Sequence, residues 1–163
     1  MANRWRSIRD NVVTAIKALP AVNGTPVVKL GIPVDILKLG HRQAIGVCLS
    51  EDVWDVPERG ISDFRDNPAT ITVPVVIMAT SEYPPESAQA DDGKIEDLSA
   101  AILGSNVGDI GPGIRGVNVG DETTGIVTLV PEKSEIAADQ SRSAGTGGQL
   151  LKIITFRTTV LPL

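Results

Sequence analysis

The sequence predicts an α+β fold: a mostly antiparallel β-sheet with two helices packed on one face, joined by long loops. Three observations lead there. Two segments, 5–19 and 91–103, repeat apolar residues at the spacing of three and four that lines one side of a helix. Two others, 69–80 and 150–160, alternate with the period of two expected of strands. The order is helix, strands, helix, strands, without an internal repeat. At 163 residues, 42% hydrophobic and 21% charged, the chain is the size of one domain and has the material for a core.

The first helix places Trp5, Ile8, Val12, Ile16 and Leu19 on one stripe and Arg6, Arg9, Asp10, Thr14 and Lys17 opposite. Asn3 suits its N-cap, and Pro20 stops it. Residues 22–39 are broken by Gly24, Pro26, Gly31 and Pro33, so the extended pieces 26–30 and 34–38 are expected as edge strands or irregular arms. Residues 40–42 form a turn, and 43–50 a strand containing Cys48. The acidic segment 51–67, with Pro57 and Gly60, is expected as a long loop. Strand 69–80 is the clearest in the chain: Ile71, Val73, Val75 and Ile77 share one face, Thr70, Thr72, Val76 and Met78 the other. Pro74 at its centre implies an unpaired stretch of edge or a bulge.

Residues 81–90, around Tyr83, Pro84 and Pro85, are expected as a polar linker. The second helix, 91–103, buries Ile95, Leu98 and Ile102. Asp91 and Asp92 favour its N-terminus through the dipole, and Gly104 ends it. Short strands are expected over 114–119 and 125–130. Segment 131–149, polar and small, is expected as a flexible excursion, and 150–160 as a central strand. The whole of 1–163 is a single domain with excursions at 51–67, 81–90 and 131–149.

The composition excludes several chemistries. One histidine, His41, and one cysteine, Cys48, cannot build a disulfide framework or a thiol–imidazole zinc site within the chain. Five aromatics (Trp5, Trp54, Phe64, Tyr83, Phe156) are too few for a base-stacking platform or a sugar cleft. A net charge of −5 argues against general nucleic-acid binding. No stretch has the apolar length of a bilayer span, and the N-terminus lacks a signal-peptide apolar run, so a soluble cytosolic product is expected.

Residues 111–116 match the G-x-G-x-x-G spacing of dinucleotide sites. That motif works when a strand precedes it and a helix N-terminus comes after it. Here a helix and a loop precede it, strand-like sequence comes after it, and Pro112 removes one amide donor, so it is expected as a glycine-rich turn feeding a strand. His41 falls in a turn, Cys48 is expected as a small buried hydrophobe, and the G-x-S-x-G elbow of hydrolases is absent. Glu51, Asp52, Asp55 and Glu58 lack EF-hand spacing, and the acidic run is expected to be solvated or to face a basic partner. No catalytic, cofactor-binding or metal-binding residue is assigned.

Charge is divided along the chain. Residues 1–50 hold seven basic and two acidic residues; residues 51–97 hold three basic and twelve acidic. Two surfaces of opposite sign suit head-to-tail contacts between copies. On this basis Arg4, Arg6 and Arg9 are candidates to meet Glu51, Asp52 and Asp55 of a neighbouring copy. Trp54, Phe64 and Tyr83, aromatics in polar loops, are candidate contact anchors.

One family shares this layout. The helix carrying Trp5, Ile8, Val12 and Ile16, the alternating strand over 70–77, the helix carrying Ile95, Leu98 and Ile102, and the closing strand over 151–160 together resemble the tail terminator (tail completion) proteins of long-tailed bacteriophages. More broadly they resemble the small neck proteins of phage-like particles. The resemblance implies a non-enzymatic virion protein, without cofactor, that forms a hexameric ring on the head-proximal end of the tail tube and stops its polymerisation. It implies further copies of itself, the tail tube protein and the head–tail connector or stopper as partners. Genomic DNA would be passing cargo only, no membrane would be involved, and assembly would take place in the host bacterial cytoplasm. Two alternatives stand beside it: another neck or tail-tube-like component, and a cytosolic ligand-binding or catalytic α+β domain using the acidic 51–67 loop.

Overall fold

One long strand organises the sheet. In the computed structural model, which describes residues 4–54, 69–81, 85–105, 111–122, 125–138 and 148–160, β4 (Ala69–Ser81) lies antiparallel to β6 (Gly148–Val160) along its whole length, from Ala69 opposite Val160 to Ser81 opposite Gly148. The other edge of β4 is divided. β2 (Gln43–Val47) pairs antiparallel with residues 75–79, and β3 (Glu51–Trp54) pairs antiparallel with residues 69–72. β1 (Val27–Lys29) runs parallel to β2, and β5 (Val130–Ala138) antiparallel to β6 with a bulge between Pro131 and Lys133. The six-stranded sheet has the order β1-β2-β4-β6-β5, with β3 paired to β4 off this path.

Pro74 sits at the break between β2 and β3. Its carbonyl accepts the Cys48 N–H at 2.9 Å. An extended residue points its N–H and C=O to the same side, so the donor that proline lacks would face the 48–50 connection rather than a ladder. The sequence expectation of an interrupted edge is met there, and the β4–β6 register continues through Pro74 without a shift.

The helices α1 (Arg4–Lys17) and α2 (Pro85–Leu103) cover one face of the sheet. Ile8, Val12 and Ile16 of α1 are fully buried, and Ile95, Leu98 and Ile102 of α2 nearly so. They pack in one cluster with Ile71, Val73, Val75 and Ile77 of β4, Ile45 and Val47 of β2, and Ile154 and Phe156 of β6. Each such side chain contributes about 1.5–3 kcal/mol by leaving water. The opposite face carries a second cluster, in which Ile36 meets Leu30, Ala44, Cys48, Val76, Met78 and Leu151. The fold is α+β, the sheet mostly antiparallel, with both α-helices on one face.

Several boundaries differ from the sequence expectations. Residues 34–38 are not extended but lie in a 3-10 helix, Pro33–Leu39, begun by proline and closed by Gly40 at φ 70°. The Asp35 carboxylate accepts the Ile32 N–H at 3.2 Å, which satisfies a donor at the helix start. Segment 51–67, expected as a loop, begins as β3, because β4 extends beyond β2 and leaves an edge to pair. The strand expected over 43–50 stops at Val47. Helix α2 starts six residues earlier than expected, at Pro85, where a missing N–H breaks no helical bond. Asp91 and Asp92 therefore lie inside the helix rather than at its N-terminus. Residues 114–119 and 125–129 form turns and irregular backbone, not strands. Part of the expected 131–149 excursion is β5, held by β6; residues 139–147 lie outside the described residues, as do Asn3 and 55–68.

Candidate functional site

The glycine-rich motif is the first place to look for chemistry. Gly104 ends α2 at φ 72°, and the Ile114 N–H donates to the Ile102 carbonyl at 3.1 Å. Gly113, at φ 62°, lies against the same turn: a Cβ there would stand 2.2 Å from the Ile102 oxygen. A Cβ on Gly104 would stand 2.1 Å from the Pro112 carbonyl carbon. The two glycines thus let two backbones pack directly on each other. They do so at the C-terminus of α2, where carbonyls and the negative end of the dipole face out. A phosphate needs the opposite end of a helix. The motif is a glycine-rich turn, as expected, and it clamps the end of a helix. Residues 114–119 after it are turn and irregular backbone rather than the expected strand.

His41 and Cys48 do not form a pair. His41 is exposed and precedes β2; Cys48 is buried just beyond it. The five-residue strand between them spans about 17 Å. Burial, reinforced by the Asp35 carboxylate and opposed by Arg9, pushes the Cys48 thiol up to about 12, so it carries no thiolate at neutral pH. Among the described residues no group of three or more His, Cys, Asp and Glu is placed to hold a metal ion. A cavity of about 380 Å³ is lined by Thr70, Thr128, Val130, Arg157 and Thr158. It offers hydroxyls and one guanidinium but no acid–base pair to move a proton.

The interface candidates occupy different settings. Arg4 and Arg6 lie in the first turn of α1; the Arg6 side chain is exposed, and that of Arg4 is outside the described residues. The Arg9 side chain is only 15% exposed and is engaged within its own chain: its Nη1 donates to the Leu30 carbonyl at 3.2 Å, and its Nε lies 3.9 Å from Asp10. Lys29 pairs with Asp10 at 2.9 Å, so these groups fasten α1 to the end of β1. Glu51, Asp52 and Trp54 are on β3 along β4, with side chains outside the described residues. Asp55, Glu58, Phe64 and Tyr83 lie outside the described residues.

The structure adds surfaces that the sequence analysis did not select. Ile32, Val34 and Leu49 are exposed at the β1 end of the sheet, at 56%, 47% and 53%. Ile126, Val130 and Ile136 are exposed at the β5 end, at 83%, 54% and 68%. The loop bearing Ile126 is held to α1: Asn11 Nδ2 donates to the Val119 carbonyl at 3.0 Å and Ser7 to Asp121. Asn118 Oδ1 accepts the N–H groups of Gly120 and Val127, both at 2.9 Å. An isolated isoleucine within a polar run, such as Ile136, was the available signal.

No family model and no curated protein sequence matches the chain. Among solved structures, it is similar to a chain from the "Virion of native gene transfer agent (GTA) particle". The match covers 99% of both chains with a TM-score of 0.57. The shared property is the fold. At 12% identity the likeness assigns no residue a role. Among the described residues no helix is long and apolar enough to cross a membrane.

Proposed function

We propose that this chain is a structural subunit of a phage or phage-like particle, and within it a tail terminator. In this reading it forms a hexameric ring at the head-proximal end of the tail tube, stops tube growth and joins the tail to the head connector. The observation that carries the reading is the end-to-end likeness of fold to a gene transfer agent virion chain, 99% of each chain being covered. The element order that resembles tail terminators agrees with it. So does the chemistry: the buried, protonated Cys48 and the distant His41 supply no nucleophile and base. Such a protein acts through surfaces, on copies of itself, the tail tube protein and the connector. The net charge of −5 lets DNA pass without the attraction that basic surfaces exert on phosphate.

Negative-stain microscopy with light scattering tests this, on the protein alone and mixed with isolated tail tubes. Rings with a central hole, or single caps on tube ends, are expected. Unlimited stacking into tubes would make it a tube-like subunit instead. A particle that stays monomeric and never associates with tubes would overturn the reading.

A further inference from the structure

The strand order ends in two different surfaces. At one end, β5 has β6 as its strand partner, and every side chain from Val130 to Ile136 is exposed. Successive residues of a strand point to opposite faces, so both faces of β5 are exposed over these residues, and among the described residues no strand pairs with its outer edge. A nine-residue edge strand presents unpaired backbone groups to any strand or surface that fits it. Ile136 at 68% and Val130 at 54% exposure add apolar area. At the other end, the Leu49 N–H donates to the Gly31 carbonyl at 3.2 Å, which brings exposed Leu49 beside exposed Ile32 and Val34.

These ends are unlike in charge as well as in shape. The exposed β5 strip holds Glu132, Lys133 and Glu135, one net negative charge. The segment beside Ile32 and Val34 holds Asp35, Lys38 and Arg42, one net positive charge, with Lys38 77% exposed. Two patches that differ from each other, on opposite ends of one sheet, suit a heterologous contact, which repeats head to tail and closes into a ring when the rotation per subunit divides the circle. An isologous dimer would need one patch to complement itself.

We infer that β5 of one copy of this chain docks against the Ile32–Val34–Leu49 patch of the next. The inference rests on the ring reading for closure, and it names the two surfaces that make the ring. The strand order separates them by four inter-strand steps of about 4.8 Å, about 19 Å in all. Two cysteines bridge only when their Cα atoms lie within about 7 Å. A disulfide between positions 136 and 32 can therefore form only between copies.

The test uses the full chain carrying Ile32→Cys, Ile136→Cys, or both, under mild oxidation at high protein concentration and with isolated tail tubes. Native Cys48, 1% exposed, stays in place. The double variant is expected to give a ladder of covalent multimers on non-reducing gels. Each single variant is expected to stay monomeric, and an equal mixture of the two to stop at a dimer. Self-linking of either single variant would make the contact isologous and overturn the inference. So would a double variant that remains monomeric. Whether the unmodified protein forms rings or caps is read separately by microscopy: rings without the cross-link remove these surfaces and leave the ring reading standing.

Discussion

Two glycines of one motif should respond very differently to the same substitution. Gly111 and Gly113 both have positive φ, 74° and 62°, and an alanine in that region costs about 1–2 kcal/mol. At Gly111 nothing lies within 4 Å of the added Cβ, so this is the whole cost. At Gly113 the Cβ would meet the Ile102 oxygen at 2.2 Å, the Gly104 nitrogen at 2.7 Å and the Leu103 carbonyl carbon at 2.8 Å. All three are backbone atoms at the end of α2, which no rotamer change can move. The clamp must open, at an overpacking cost of about 1–3 kcal/mol, and the Ile114 to Ile102 hydrogen bond is lost for about 1 kcal/mol more. Gly113→Ala should therefore lose about 3–6 kcal/mol, a large part of a typical domain's stability of about 5–15 kcal/mol. In urea, with an m-value of about 2 kcal/mol/M, the midpoint should fall by about 0.5–1 M for Gly111→Ala and about 1.5–3 M for Gly113→Ala, monitored by far-ultraviolet circular dichroism. Equal losses would refute the clamp. A rise in melting temperature with added dinucleotide would refute it too, since a ligand that binds only the native state must stabilise it.

Other expectations rest on single contacts. Asn118→Ala strands the part-buried Val127 N–H and should cost about 1–3 kcal/mol in urea unfolding, with faster amide exchange at Val127. Lys152, whose side chain is 13% exposed, pairs with the 62% exposed Glu96 at 2.9 Å. Glu96→Gln leaves a largely buried ammonium without its counter-charge, whereas Lys152→Met removes both the charge and the need for a partner, so the first should destabilise more than the second in the same assay. The Cys48 thiol has an ordinary value of 9.0 and is raised to about 12 in the fold, so its contribution is complete below 9 and fades as pH rises from 9 towards 12. The melting temperature should fall across that window more steeply than in Cys48→Ala, and the native thiol should resist labelling at pH 8. Asp35 is held below its ordinary 3.8 by the Ile32 N–H and then by Lys38. Its support for the 3-10 helix is thus present above that value and lost as pH falls through the lower folded one, which the Ile32 amide resonance should report in an acid titration.

Strong periodicity was enough where burial had a single cause. The stripe of Ile8, Val12 and Ile16 and the alternation of Ile71, Val73, Val75 and Ile77 each face one cluster, so pattern and packing agree. Pro74 was informative for the same reason: a missing donor must lie where no ladder needs it. Legibility failed where the partner supplied the structure. Residues 130–138 have no alternation of their own and become β5 because β6 offers an edge. Residues 34–38 look extended by composition, yet Pro33, the Asp35 acceptor and Gly40 bend them into a helix that buries Ile36 completely. The 114–119 segment has the apolar content of a strand, but its backbone groups go elsewhere: the Ile114 N–H donates to the Ile102 carbonyl, the Val119 N–H to the Val127 carbonyl, and the Val119 carbonyl accepts from Asn11.

Charge counting carried the least positional information. The excess of basic residues in the first fifty suggested an arginine face for a neighbouring copy. In the fold Arg9 is held by the Leu30 carbonyl and Lys29 by Asp10, both within the chain, so two of those charges fasten α1 to β1. Lys38, paired with Asp35 at 3.2 Å yet 77% exposed, and Arg42 lie on the exposed segment beside Ile32 and Val34. The same net charge thus divides into a part that builds the subunit and a part that fringes an apolar patch. Desolvated apolar contact supplies most of an interface's free energy, and fringing charges mainly orient the approach.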